Sequence, residues 1–282
     1  MGRLSGRVVL ITGASRGVGQ ACAVACAREG ARVALAAKTV DPDPRLPGTL
    51  LETAQMVEAA GGEALVLAFD ARDAEACDGV VRATVAKWGR LDVLINNAGA
   101  IFWSPVADWP QKRFDLVFGV NVRASFALAH AAIPFMRAQG YGHILMMSPP
   151  INPAAAPGKA PYLVSKLGMT ILAMGIDVEE KEHGIAAHAL WPVTAIKTAA
   201  TVNLGMGSDA DWRTTDILAE ATVELITRDP KQCAFRAWLD EEVLREVGVT
   251  DFSRYRCAPD HEPTAMSIEL VDPGWSVRNK RV

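Results

Sequence analysis

The sequence lacks the features that would mark it for a bilayer, an oxidising compartment or a nucleic acid. No apolar run approaches the ~18 residues a membrane span needs. Near the start only Val8 to Ile11 is continuously apolar before Thr12 and Gly13, too short for the core of a signal peptide. There are five cysteines, an odd count with no Cys-x-x-Cys pair. Cys22 and Cys26 are four apart in an alanine-rich stretch with no third ligand nearby, so they read as small packing residues. This usage suits a reducing compartment, and a cytoplasmic location is expected. The five histidines, His130, His143, His183, His188 and His261, are dispersed without metal-ligand spacing, so no metal is expected. Lys and Arg total 29 against 32 Asp and Glu, a net charge of −3, so no global basic field exists to gather phosphate backbones. No nucleic-acid partner is therefore expected. Half the residues are apolar, which excludes disorder of the whole chain.

What is present is an alternation. Short apolar runs at Val8–Ile11, Val33–Ala37, Leu65–Phe69, Val93–Ile95, Ile144–Met147 and Ile185–Leu190 read as strands buried on both faces. Between them lie helix-forming stretches at 17–29, 49–60, 73–88, 111–138 and 161–182, several ending at glycine. The pattern predicts an α/β fold: a doubly wound, Rossmann-like parallel sheet in three layers. Length alone, at ~150 residues per domain, suggests two domains. The unbroken alternation predicts one, with a catalytic domain over 1–250 and a tail over 251–282 acting as surface wrap or oligomer contact. The Pro-rich stretch Asp41 to Gly48 interrupts the pattern. Residues after Thr198 read as lid, last strand and tail. Within them Leu204 and Met206 flank Gly205, with Gly207 following, in a candidate lid.

The first strand runs into Thr12-Gly13-Ala14-Ser15-Arg16-Gly17-Val18-Gly19 and then a helix. Glycines let backbone approach a pyrophosphate closely, and the helix N-terminus offers free N–H groups and the positive end of its dipole. The position after a first buried strand is the context that gives such a loop its meaning.

The spacing Thr-Gly-x-x-x-Gly-x-Gly resembles the short-chain dehydrogenase/reductase family. Asn96-Asn97-Ala98-Gly99, Asn121 and Tyr162-Leu163-Val164-Ser165-Lys166 follow in that family's order. Ala37-Lys38-Thr39, Ser148-Pro149-Pro150 and Ala189-Leu190-Trp191-Pro192 look like the branch containing hydroxysteroid dehydrogenase-like protein 2 and its single-domain bacterial relatives.

The resemblance implies a nicotinamide cofactor held by Gly13, Ser15, Arg16, Gly17, Val18 and Gly19. Asp70 would touch the adenine, and Asn97, Ala98 and Gly99 would line the adenine-ribose side. Pro192, Ile196 and Thr198 would lie near the nicotinamide amide. An acid at the end of the second strand would bond the ribose 2′-hydroxyl. In register that position is Ala37, followed by Lys38. Lys38 and Arg16 could pair with a 2′-phosphate, so NADP is preferred, while Asp41 keeps NAD possible.

Hydride chemistry at an alcohol or carbonyl needs a proton acceptor or donor. A tyrosine of pKa about 10 is a poor base at neutral pH, but a lysine four residues on lies one helical turn away and favours the phenolate. Among the three tyrosines only Tyr162 has such a partner, Lys166. By resemblance Lys166 also holds the nicotinamide ribose, and Asn121 anchors a proton-relay water. Ser148 would orient the substrate oxygen, although the family spacing lands on Pro149; backbone, water or Asn152 are the substitutes. Val193 stands where the family has a glycine. Phe102, Trp103, Pro149, Pro150, Ile151, Trp191 and the segment 199–212 are candidate pocket walls, mostly apolar. The expectation is an NADP(H)-dependent oxidoreductase acting on a small lipophilic alcohol, aldehyde or ketone, assembled as a homodimer or homotetramer. The alternatives are a nucleotide-binding scaffold or sensor without turnover, and an epimerase or thioester reductase on the same fold.

Overall fold

Strand β1 (Val8–Thr12) is buried at every position, as an apolar run with helices on both faces must be. In the computed structural model, which describes residues 2–42, 47–152 and 155–266, it lies inside a seven-stranded sheet. Residues 43–46 of the Pro-rich stretch and 267–282 of the expected tail lie outside the described residues. The other strands are β2 (Arg32–Ala37), β3 (Glu63–Ala68), β4 (Val93–Asn96), β5 (Gly142–Met147), β6 (Ile185–Trp191) and β9 (Ala237–Leu239). All pair in parallel, in the order β3-β2-β1-β4-β5-β6-β9. Leu10 sits between Ala34 of β2 and Leu94 of β4, so the winding direction reverses at the β1/β4 boundary. The loops leaving the carboxyl ends of these two strands diverge there and open a crevice.

Helices α1 (Gly17–Arg28), α2 (Leu50–Ala59), α8 (Asp216–Ile226) and α9 (Asp240–Glu246) cover one face. Helices α3 (Ala74–Trp88), α5 (Ala124–Gln139) and α6 (Ala160–Glu180) cover the other. Local chemistry fixes their starts. Thr49 and Glu52 form a reciprocal capping box on α2. The Asp73 carboxylate accepts the Glu75 and Ala76 N–H groups at the start of α3.

Three expectations are revised. The helix read as continuous over 111–138 is α4 (Gln111–Phe118), a π-helical turn over Gly119–Arg123, then α5. Apolar periodicity does not register such a turn, because the chain stays helical on both sides of it. The region after Thr198 is not only lid, last strand and tail. It also contains α8, whose Ile217, Ala221 and Leu225 are wholly buried in the core and which packs on α1. In the expected tail, Phe252 and Tyr255 belong to the same core cluster. Finally, the helical stretches 111–139 and 160–183 are long and apolar enough, by length and composition, to cross a membrane. Here both pack against the rest of the fold and carry buried polar residues: Asn121 and Ser125 on the first, Lys166, Asp177 and Glu180 on the second.

Ile217→Ala reports directly on α8 as core. Removing a fully buried side chain there is expected to cost about 3 kcal/mol in urea denaturation. A loss under about 0.5 kcal/mol, as expected for an exposed lid residue, would contradict the placement.

Candidate active site

The crevice begins at Thr12. Its hydroxyl accepts the N–H groups of Asn97 and Ala98, both at 3.1 Å, and donates to the Ile95 carbonyl at 3.3 Å. The end of β1 is thereby tied to the end of β4. The Asn97 side chain turns inward and donates to the carbonyls of Thr12 at 2.9 Å and Gly13 at 3.2 Å. Its amide therefore braces the glycine loop.

Two glycines in the loop have no substitute. Gly13 has φ +67° and packs on Asn97 and Ala98, where a Cβ would lie 2.9 Å from each. A Cβ on Gly19 would lie 2.4 Å from the Gly13 carbonyl oxygen. Gly17, which opens α1, faces Thr198 across the crevice; a Cβ there would fill the space and stop 3.6 Å from the Thr198 methyl. Residue Arg16 is the N-cap of α1 but gives it no side-chain cap, and the first turn carries no acid. The free N–H groups and positive dipole end are thus left for an anion. The cradle fits a pyrophosphate, and Gly13, Ser15, Gly17, Val18 and Gly19 would hold it.

The expected 2′-phosphate partners are engaged elsewhere. Arg16 donates to the Gly48 carbonyl at 3.0 Å, closing the end of the Pro-rich stretch over the loop. Lys38 is largely exposed and pairs with Asp70 at 3.3 Å. Asp70 also takes a forked pair from Arg72, which, with Lys38, holds its carboxyl well below the usual carboxylate range. Thr198 caps the short helix α7 (Ala199–Asn203), and the Ile196 carbonyl accepts the Thr201 hydroxyl at 2.8 Å. Ile196 itself lies in β7 (Ala195–Ile196), paired with β8 (Trp212–Arg213), and Pro192 leads into this loop.

At the other end of the crevice, Asn121 lies in the π turn and is fully buried. Its Oδ1 accepts the Ala100 N–H at 2.8 Å, and its Nδ2 donates to the Ala100 carbonyl at 3.0 Å and to Ser165 Oγ at 2.9 Å. Ser165 in turn donates to the Tyr162 carbonyl at 2.6 Å. One amide thus links the loop after β4 to the turn of α6 that carries Tyr162. The Asn121 carbonyl accepts the Ser125 hydroxyl at 2.7 Å. Lys166 Nζ donates to the Met147 carbonyl at 2.9 Å. Both Nζ and Asn121 Oδ1 lie 3.5 Å from where a Cβ on Gly99 would stand, so Gly99, Asn121 and Lys166 converge.

Burial governs the two titrating groups. It pushes the Tyr162 phenol up to about 12 and the Lys166 ammonium down to about 8. The expected lowering of the tyrosine by the lysine is therefore absent from this arrangement. The ammonium is turned to Met147, and desolvation disfavours the charged form of each group.

Ser148 is tied to two neighbouring elements. Its hydroxyl is buried, accepts the Trp191 indole N–H at 2.8 Å and shares a 3.0 Å bond with Thr170. These two bonds engage the hydroxyl inside the fold and leave one of its three hydrogen-bonding sites; it lies one residue before the position that the family spacing indicates. Trp191, expected as a pocket wall, is buried by the same bond. Phe102 and Trp103 remain partly accessible; Phe102 packs edge-on against Trp109, and the Lys159 ammonium lies 4.4 Å above the Trp103 ring. Sequence reasoning missed the roles of Thr12, Ala100 and Met147, because two of these act only through backbone groups. Among the described residues no cluster of three or more potential ligands could hold a metal.

Lys166→Met tests the burial of the ammonium. A lysine depressed from 10.5 to about 8 destabilises the fold at neutral pH by about 3 kcal/mol, a cost present below pH 8 and relieved as pH rises to 10.5. The stability of the variant minus that of the parent should therefore fall by that order between pH 7.5 and 10.5 in denaturant titrations. A difference that stays flat would mean the lysine titrates normally.

Residues 7–207 match the short chain dehydrogenase family. The chain is 40% identical over 263 residues to hydroxysteroid dehydrogenase-like protein 2 of Xenopus tropicalis and 41% identical to that of Mus musculus, in each case over 92% of this chain. It spans 63% and 53% of the length of those relatives. A dehydrogenase crystal structure from Xanthomonas campestris superposes with TM-score 0.88 at 40% identity, covering 93% of this chain and 97% of that one. A metagenomic short-chain oxidoreductase in complex with NADP superposes with TM-score 0.70 at 30% identity, covering 84% and 98%.

Proposed function

This chain belongs to the short-chain dehydrogenase/reductase family, and from that membership we propose that it is an NADP(H)-dependent oxidoreductase acting on lipophilic alcohols, aldehydes or ketones, with Tyr162 as general acid and base. The observation that carries the reading is the convergence of Lys166, Asn121 and Gly99 one helical turn from Tyr162, at the end of a crevice whose other end is an uncapped, acid-free helix N-terminus.

The bound nicotinamide supplies or accepts the hydride. Tyr162 exchanges the matching proton with the substrate oxygen. Lys166, four residues on, would hold the ribose of the cofactor, and its charge near the phenol would lower the cost of the phenolate. Asn121 holds the loop after β4 against α6, so the proton donor and the nicotinamide side keep their spacing. The apolar walls, including Phe102 and the buried Ile151, favour a lipophilic substrate and exclude water from the transfer. NADP is preferred because Ala37 leaves no acid to repel a 2′-phosphate. Lys38 would exchange Asp70 for that phosphate.

We also place the protein in the cytoplasm, on its free cysteines, and as a homo-oligomer. Val164, Ile171 and Val178 expose an apolar stripe at seven-residue spacing along α6, and Phe126 on α5 is exposed as well. Ile171→Asp should shift the mass in light scattering toward the monomer; an unchanged mass would remove this face from the interface.

The decisive experiment is a panel of lipophilic carbonyls and alcohols with NADPH and NADH. Tyr162→Phe should lower kcat by about 10²-fold or more while leaving the NADPH Kd within about twofold. Undiminished turnover by that variant would end the proton-transfer role. Lys38→Ala should weaken NADPH but not NADH, whereas tighter binding of NADH by the parent would overturn the cofactor preference.

A further inference from the structure

Val193 occupies the position after Pro192 where the family has a glycine, and no described non-glycine residue takes a positive φ. The loop from Val193 to Thr198 is therefore held without a glycine's backbone freedom. Two bonds to Val193 take over. Its N–H donates to Asp240 Oδ1 at 3.0 Å, and its carbonyl accepts the Met266 N–H at 2.7 Å. The first partner is a fully buried carboxylate at the start of α9; the second comes from the chain after the core.

The rest of the loop is stitched to the same elements. Ile196 pairs with Arg213, and the Lys197 N–H donates to the Arg213 carbonyl at 2.8 Å. Arg213 also bridges to Arg256, forming an antiparallel contact with the segment 256–266. That segment is anchored on β8 by the Cys257 N–H, which donates to the Trp212 carbonyl at 3.1 Å. The Arg213 guanidinium, itself buried, joins Glu241 of α9 to Glu262 of the segment, and Arg256 pairs with Glu262. Asp240 Oδ1 also accepts the Glu241 N–H at 2.8 Å, while Oδ2 is buried without a partner among the described residues. Burial pushes this carboxyl up to about 7. A buried carboxylate that costs desolvation is retained where its hydrogen bonds fix a geometry.

We propose that Asp240 and the segment 256–266, joined through Arg213, are positioning elements that fix the loop Val193–Thr198 on the nicotinamide side of the cofactor crevice. This rests on the cofactor reading given above. A loop whose peptide groups are already bonded loses less freedom when a ligand docks on it, so the bonds should appear as cofactor affinity.

The test combines amide hydrogen exchange with NADPH titration, followed by tryptophan fluorescence, on the full chain. Asp240→Ala, which removes the acceptor, should raise the NADPH Kd about tenfold and speed exchange at Val193 about tenfold, the scale of one lost hydrogen bond. Asp240→Asn, whose amide oxygen can still accept the Val193 N–H, should restore both to within about threefold of the parent. Met266→Pro deletes the second bond at a half-buried position outside the core clusters and should move both readouts in the same direction as Asp240→Ala. It carries the test if Asp240→Ala fails to fold. Parental Kd and exchange in both disrupting variants would overturn the proposal, as would an Asp240→Asn protein as impaired as the alanine variant. If the parent binds neither NADPH nor NADH, the cofactor reading falls by itself. The exchange at Val193 then still decides whether the two bonds hold the loop.

Discussion

The Thr12 hydroxyl is the pivot of the molecule. It takes two N–H groups from the loop after β4 and gives its own hydrogen to Ile95, so the carboxyl ends of β1 and β4 are locked together where the sheet reverses its winding. The glycine loop leaves on one side of this lock and the Asn97–Ala100 segment on the other. Asn97 then braces the glycine loop, and Ala100 is taken up by Asn121 in the π turn. The anion cradle and the proton-transfer residues are therefore positioned by one chain of short polar contacts. Thr12 and Asn121, at the two ends of that chain, are buried, so their bonds are worth more than they would be at the surface.

Burial has opposing effects within the site. It keeps Tyr162 protonated and makes the Lys166 ammonium costly, which by itself would oppose base catalysis. The same dryness strengthens any charge brought close to the phenol. In this arrangement the Lys166 ammonium is held by the Met147 carbonyl rather than by the Tyr162 phenol. Family membership establishes the oxidoreductase fold and nucleotide binding.

Much of the fold was legible because its signals are local. Buried apolar runs alternating with capped helices predicted the strands β1 to β6, and the glycine loop predicted where the crevice would open. The contacts that the sequence did not show share one cause. Ser148 looked available because a hydroxyl sits near the right spacing, but Trp191 and Thr170 reach it from β6 and α6. The Asn97 side chain faces the glycine loop, a contact across two strands. The burial of α8 depends on α1, which lies far away in the sequence. None of these partners is encoded at a fixed spacing.

The sequence by itself determined the architecture, the glycine cradle and the pairing of Tyr162 with Lys166 on one helical face, since periodicity and steric demand act over a few residues. Only the tertiary structure decided which polar groups were left for chemistry. It turned Ser148 inward, put a π turn under Asn121, moved Lys166 onto Met147 and clasped Val193 between Asp240 and Met266. A hydrogen-bonding group goes to whichever partner the fold brings within reach, and for these residues that partner comes from another element of the chain.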